Sequence, residues 1–584
     1  MFDVYSEGYG TYLIFHTGTV NNHIYGTYIS IAFTNEVLTA GRDNHVTIED
    51  GTIRNVTGAY VYVPTGGHAE VVAVGNTVTI SGEADVQSSV VGGWGSIGDV
   101  AIAKTVVEQN SVLISGAATI GFDVNGGYAI VQQADEANLT ANKNNVTISG
   151  EVTIGGSVYG GSAAANADGT ANALAAGNIL TIKDGTFSGG DVMGVFSGYA
   201  AIRGKSGTAD ASDNLLTIET GSFTTMVSGG RASASALENV NAVASRNFLT
   251  ISGGEFESTV HGGHAYADGT NNTAVSVAEE NVVAINGGEF SDTVVGDTAQ
   301  TSISSGEAEA LSTGNIVNIT DGAFSRSVIG GEATALLSDR TNAKVDITAW
   351  GNILTISGGE FGGDVLGGRA ALRNASLDDS VAVAVAEGNE VILYGGMVYG
   401  SVYGGFAESE PVRIGVFNGI VEATARDNTV TLHDGTVVFD IVYGGSAQAG
   451  SVTSSTDKAV ATASDNIVNI TGGAFMNVVG GSAYALNTEG DAVVTASGNE
   501  VNISGGWING HVYGGYAYAE STEGDAGASA TDNIVSIKTH PQSAACVALG
   551  VRLWRAGLYR QARGRGGECA GTLGVVVHHV LLPW

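Results

Sequence analysis

Fifteen times along this chain an asparagine is followed, at the second and fourth positions after it, by Val, Leu or Ile: at Asn44, Asn76, Asn110, Asn144, Asn178, Asn214, Asn247, Asn281, Asn315, Asn352, Asn389, Asn428, Asn466, Asn499 and Asn533. The steps run from 32 residues (Asn44 to Asn76) to 39 (Asn389 to Asn428). So regular a recurrence leaves one kind of architecture. A unit of about 34 residues cannot bury its own apolar face, so the copies must bury one another's by stacking.

Asn247–Ala267 shows the unit plainly: two short apolar-alternating runs, Leu249–Ile251 and Phe256–Val260, each followed by a glycine pair, Gly253-Gly254 and Gly262-Gly263. A small-residue stretch (His264–Ala267), an acidic loop (Asp268–Asn272) and an Ala/Val-rich segment lead to the next anchor. Period-2 alternation, β-branched residues and glycine corners are strand signals, and no ten-residue stretch has helical apolar spacing. The expected fold is all-β: a repetitive, β-helix-like β-solenoid with one coil per repeat of about 34 residues. It should span residues 1–538, with an incomplete first unit in Leu13–Ile29. Insertions around 338–350, 374–384 and 409–425 should be loops.

Composition narrows the function. Hydrophobic residues are 43% and mean hydropathy is positive, so a core is available. The net charge of −35, with 23 Lys and Arg in all, argues against nucleic acid and against an anionic membrane surface. Two cysteines make no disulfide framework. The N-terminal residues lack the features of a signal peptide, and no apolar run approaches the roughly 20 residues of a membrane helix.

Residues 539–584 break the pattern. They hold both cysteines, five Arg and one acidic residue, a balance of +4, against 18 basic and 57 acidic residues (−39) in 1–538. That abrupt change is the pattern of a reading-frame shift after Lys538, giving an aberrant, disordered basic tail; a genuine basic tail is the alternative.

Stacking sets like residues over like. The anchor asparagines should form a hydrogen-bonded column, and the glycine pairs should supply positive φ at corners. The residue after the second glycine pair varies while the next is nearly always Ala, which points to a diverse outer row beside a small inner one. That row gives His68, Ser162, Glu332, Ser446, Ser482 and the candidate binding residues Trp94, Tyr128, Tyr199, Arg231, His264, Arg369, Phe406 and Tyr516. Aromatic and Arg side chains in a line suit protein hot spots or sugar stacking, while a row shielding strand edges is the plainer alternative. After the anchor Asn, eight copies carry an apolar residue (Ile179, Leu215, Phe248, Val282, Ile316, Ile353, Ile467, Ile534), which is expected to be covered by the Ala-rich segments.

Enzyme signatures are absent from the sequence: no nucleophile elbow, no zinc motif, no evident gathering of carboxylates with Arg or Lys. No catalytic residue, cofactor or metal is assigned. The acidic turns 487–491 and 521–525 offer oxygen ligands for calcium but read as solvated loops.

The repeats NTVTISGEADVQSSVVGGW (Asn76–Trp94) and NEVNISGGWINGHVYGGYAYA (Asn499–Ala519) resemble those of bacterial autotransporter passenger regions and repeat-rich surface adhesins. The resemblance covers most of residues 11–538. It implies an elongated β-solenoid carried across the outer membrane by a C-terminal barrel that this sequence lacks, then displayed at the cell surface or released. It also implies an adhesin or passenger scaffold with a host surface protein or glycan as partner, without nucleic acid and with membrane contact only through that barrel. A carbohydrate-active β-helix (lyase or hydrolase) and an inert stalk are the competing functions.

Overall fold

The computed structural model describes residues 4–32, 35–189, 194–337, 343–373, 381–409, 420–450, 458–487 and 490–538. The tail 539–584 lies outside them, as do most of the expected insertions (338–342, 374–380, 410–419). The remaining parts of those insertions are strands, Ala343–Trp350, Val381–Glu387 and Ile420–Arg426, rather than loops. Contacts divide the chain into two compact units, one of residues 1–270 and 275–292, the other of 271–274 and 293–584.

Each unit is a parallel β-solenoid, and among the described residues there is no helix. One coil contains the strand Val240–Ser245, the anchor strand Phe248–Ile251, a two-residue strand Glu255–Phe256 and a long strand Val260–Gly269. The long strand runs on through the glycine pair that sequence marks as a break. In the first coils it also absorbs the expected acidic loop, as in Val90–Glu108 and Val124–Asn142.

Register follows the anchor asparagines without slip. In the first unit Thr77, Ser111, Asn145, Ile179, Leu215, Phe248 and Val282 pair in succession. In the second, Ile316, Ile353, Glu390, Thr429, Ile467, Glu500 and Ile534 do the same. The second and fourth residues after each Asn from Asn44 to Asn499 point inward and are buried, as the alternation predicts, while Val535 and Ile537 after Asn533 are half-buried.

Like does stack over like. Phe187, Phe223, Phe256 and Phe290 form a run of parallel rings with centroids 4.7, 4.8 and 4.8 Å apart, which is the strand spacing itself. Phe324 and Phe361 repeat the device in the second unit, 4.8 Å apart. Replacing Phe223, fully buried with a ring on each side, by Ala should cost about 3–5 kcal/mol. Because solenoid coils open locally, hydrogen exchange resolved by peptide should show the loss in coils 186–256 before elsewhere.

The asparagine column is present in both units. Asn247 accepts the backbone N–H of Asn214 at 3.1 Å and the Asn214 amide at 2.9 Å. It donates to the Ala211 carbonyl and to Asn281 Oδ1, each at 2.9 Å. Asn352, Asn389, Asn428, Asn466 and Asn499 repeat the pattern.

The glycine pairs divide the work expected of them. Positive φ belongs to the pair after the anchor strand, as at Gly254 (116°) and Gly288 (120°). The pair in the long strand has ordinary φ and is needed for space: a Cβ on Gly230 would stand 2.5 Å from the Asn247 carboxamide, and one on Gly229 would stand 2.4 Å from the Gly262 carbonyl oxygen. A further corner lies just before the anchor. The residue preceding each of the fifteen asparagines has φ between 51° (Arg246) and 69° (Gly75), whether Gly, Asp or a longer side chain.

Candidate recognition surface

The glycine pair folds the long strand back on its own outer face. In a straight strand, residues three apart lie roughly 10 Å apart on opposite faces. Here they meet: His261 and His264 have ring centroids 5.1 Å apart, Tyr403 and Phe406 5.2 Å, Phe196 and Tyr199 5.7 Å. Each of these coils therefore adds two side chains to a hollow outside the solenoid, one before and one after the pair. The Ala that follows the second of these faces the interior and is buried, as at Ala232 and Ala265.

The row after the glycine pair is the varying row of the sequence. In the first unit Tyr28, Tyr60, Trp94, Tyr128, Ser162, Tyr199, Arg231 and His264 pair in succession. In the second the order is Thr298, Glu332, Arg369, Phe406, Ser446, Ser482, Tyr516. All eight candidate residues thus occupy equivalent positions within their own units. His68 does not: it pairs with Glu36 and Ile102 on another side of the coil, and Tyr60 holds the place assigned to it. The Gly66-Gly67-His68 run imitates the motif, but in that coil Gly58, stacked against Gly92, takes the place of the first glycine of the pair.

These side chains are sheltered rather than freely outward. His264 is buried, Trp94, Tyr128, Tyr199, Arg231, Arg369 and Phe406 are half-buried, and Tyr516 alone of the eight is exposed. In the row before the glycines Val295, Ile329 and Leu366 form a small apolar cluster against which Tyr403 and Phe406 pack. In the first unit Trp94 stands 4.8 Å from Tyr60 and 5.3 Å from Tyr128, ring to ring.

Polar atoms without partners concentrate in this hollow. Trp94 Nε1, Asn125 Oδ1, Arg231 Nε, His264 Nδ1 and Arg369 Nε are all buried and make no hydrogen bond. Buried polar atoms are ordinarily satisfied by protein, ordered water or a bound molecule, so such a run is what singles this surface out. His261 has its pKa lowered to about 4, by burial first and the Arg231 charge second, with Asp292 opposing. His264 is also lowered, by burial and then by His261 and Arg231. Both rings are neutral near pH 7. Burial, helped by Asp123 and Tyr199, pushes the Tyr128 hydroxyl up to about 12, so it stays a donor.

The two arginines of the row differ. Arg369 meets Glu332 at 3.6 Å and Glu408 at 2.9 Å, its guanidinium 5.8 Å from the Phe406 ring centre. Sequence reading missed this gathering of two carboxylates and an arginine on consecutive coils, because Glu408 sits two residues beyond the varying position. Arg231 lies over Phe196 at 5.5 Å, and among the described residues its one polar contact is Met226 Sδ at 3.8 Å.

A second outer feature departs from expectation. The apolar residues after the anchor asparagines are not covered by the Ala-rich segments: Ile179, Leu215, Phe248 and Ile534 are exposed, and Val282, Ile316, Ile353 and Ile467 are half-exposed. The Ala-rich segments instead pair with one another along the coil stack, as Val345–Trp350 does with Ala382–Glu387, and turn their Ala residues inward. Among the described residues no group of three or more His, Cys, Asp or Glu could hold a metal ion. At 521–525 the Ser521 hydroxyl donates to Gly490 O, and Asp525 N donates to Asp491 Oδ1; residues 488–489 of the other acidic turn are outside the described residues. Comparison with known families, curated proteins and solved structures finds no match to this chain.

Proposed function

We propose that this chain is the β-solenoid scaffold of a surface-displayed or secreted bacterial adhesin, of the autotransporter-passenger kind, and that it recognises a host surface glycan or protein through the hollow beside the glycine pair. The observation that carries this reading is the contrast between rows on one strand. The Asn, Gly and Ala rows are uniform because the stack needs them, while the row between them changes at almost every coil and carries unmade polar atoms at Trp94, Arg231 and His264 in the first unit and at Arg369 in the second. The resemblance of the repeats supports a surface role, and a strongly acidic surface suits a stacked β-protein that must resist self-association.

The reading assigns no catalysis. Glu332 and Glu408 converge on one guanidinium, which makes them an ion triad rather than the separated acid and base of glycoside hydrolysis.

The test is binding of the full chain to immobilised host-cell surfaces and to a glycan panel, with Trp94, Tyr128 and Tyr516 replaced together by Ala. Loss of aromatic hot spots should weaken binding at least about tenfold. Undiminished adhesion would instead make the chain a spacer.

A further inference from the structure

Arg231 and Arg369 occupy the same row position and each lies over a ring, yet only one of them is neutralised. Register makes the comparison residue by residue. One coil before Arg369 stands Glu332, and one before Arg231 stands Tyr199. On the following coil Glu408 pairs with Ala371, while the equivalent position, paired with Ser233, is Tyr266. Both carboxylates that hold Arg369 are thus replaced by tyrosines around Arg231.

What remains around Arg231 is a half-buried cation with an unmade Nε–H, bordered by the ring of Phe196 and by His264, whose buried Nδ1 is also unmade. Among the described residues no carboxylate lies within ion-pair distance of Arg231, which makes it an attractive place for an incoming anion, and guanidinium is the donor best shaped for a carboxylate. Nothing here suits an extended peptide binding by strand addition. The hollow is a face of side chains, and the backbone groups of these strands already pair between coils. The half-exposed Tyr199 ring beside a carboxylate-binding arginine suits a pyranose ring that bears an acid group, with Phe196 buried beneath the guanidinium.

Resting on the adhesin reading above, we infer that the surface at Tyr199 and Arg231, backed by the buried Phe196 and His264, binds an acidic, uronate-type saccharide, whose carboxylate takes the place that Glu332 and Glu408 hold around Arg369.

The experiment is titration calorimetry of the full chain with an oligogalacturonate, with the same oligosaccharide after reduction of its carboxylates, and with a poly-glutamate peptide. Binding should be seen with the first and be at least about tenfold weaker with the other two, the worth of a charge-assisted hydrogen-bond pair. Arg231→Gln should lose the acidic oligosaccharide by at least about tenfold, and Arg369→Gln should leave it unchanged. Tyr199→Glu, which installs the internal carboxylate of the other unit, should close the site while keeping the β circular dichroism signal and thermal transition of the parent. Equal binding of acidic and neutral oligosaccharides, no binding of either, or equal losses at Arg231 and Arg369 would overturn the assignment. Tighter binding of poly-glutamate would move the site to acidic peptides and overturn the saccharide. Adhesion of Arg231→Gln to host surfaces is scored separately, so failure of this site alone leaves the scaffold reading standing.

Discussion

Asn247→Asp should be more damaging than Asn247→Ala at pH 7, although Asp is the closer match in shape. The alanine variant leaves the Asn214 backbone N–H and amide without their acceptor and the Ala211 carbonyl without its donor. At about 1–3 kcal/mol for each of these three orphaned buried groups, a loss of at least about 3 kcal/mol is expected. The aspartate keeps the acceptors but sets an anion against the Ala211 carbonyl and Asn281 Oδ1 at a site with no solvent exposure. Burying that charge adds several kcal/mol.

The sign of the pH dependence separates the two variants. Burial raises the folded-state pKa of the new carboxyl above its unfolded value of about 3.9. The native state therefore binds the extra proton, and stability present below that unfolded pKa is lost as pH rises through the folded one. Relative to the parent, the aspartate variant should be least damaged near pH 4 and most damaged near pH 7, with the alanine variant indifferent. Hydrogen exchange of coils 214–285 at the two pH values reads this directly; a deficit independent of pH would mean that the site admits water.

The second large effect is Gly230→Ala. The added methyl would stand 2.5 Å from the Asn247 carboxamide, which is bound on both sides and cannot withdraw without breaking the column. Overpacking of about 1–3 kcal/mol plus the hydrogen bonds it displaces should bring the loss to about 3–5 kcal/mol. Gly527 is the control. Nothing lies within 4 Å of a Cβ there and its φ is not left-handed, so Gly527→Ala should gain about 0.5–1 kcal/mol. If Gly230→Ala melts within a degree of the parent, close approach is not why that position is glycine.

Much of this architecture is legible in the sequence because stacking makes every coil repeat the same constraint. The inward Val, Leu and Ile of the anchor strand, the asparagine column and the Ala row follow from alternation and period alone. What escapes are features whose cause lies between coils. His68 has the right neighbours in sequence, but only the register with Glu36 and Ile102 shows that it lies on another side of the coil. The hollow is hidden because Gly-Gly signals a corner without saying which way the strand folds, so residues expected to face outward prove half-buried. The Glu332–Arg369–Glu408 triad joins residues far apart in the chain. One signal was readable: the position before each anchor Asn is often Gly or Asp, the residues that best tolerate a left-handed backbone.

The asparagine column also bears on how such a chain can change length. Each interior amide sees the same donor on one side and the same acceptor on the other, so a whole coil could be duplicated or deleted in the gene and the ladder would rejoin with identical chemistry. The residues of the varying row, which the ladder does not touch, could then be reshuffled coil by coil while the fold stayed fixed.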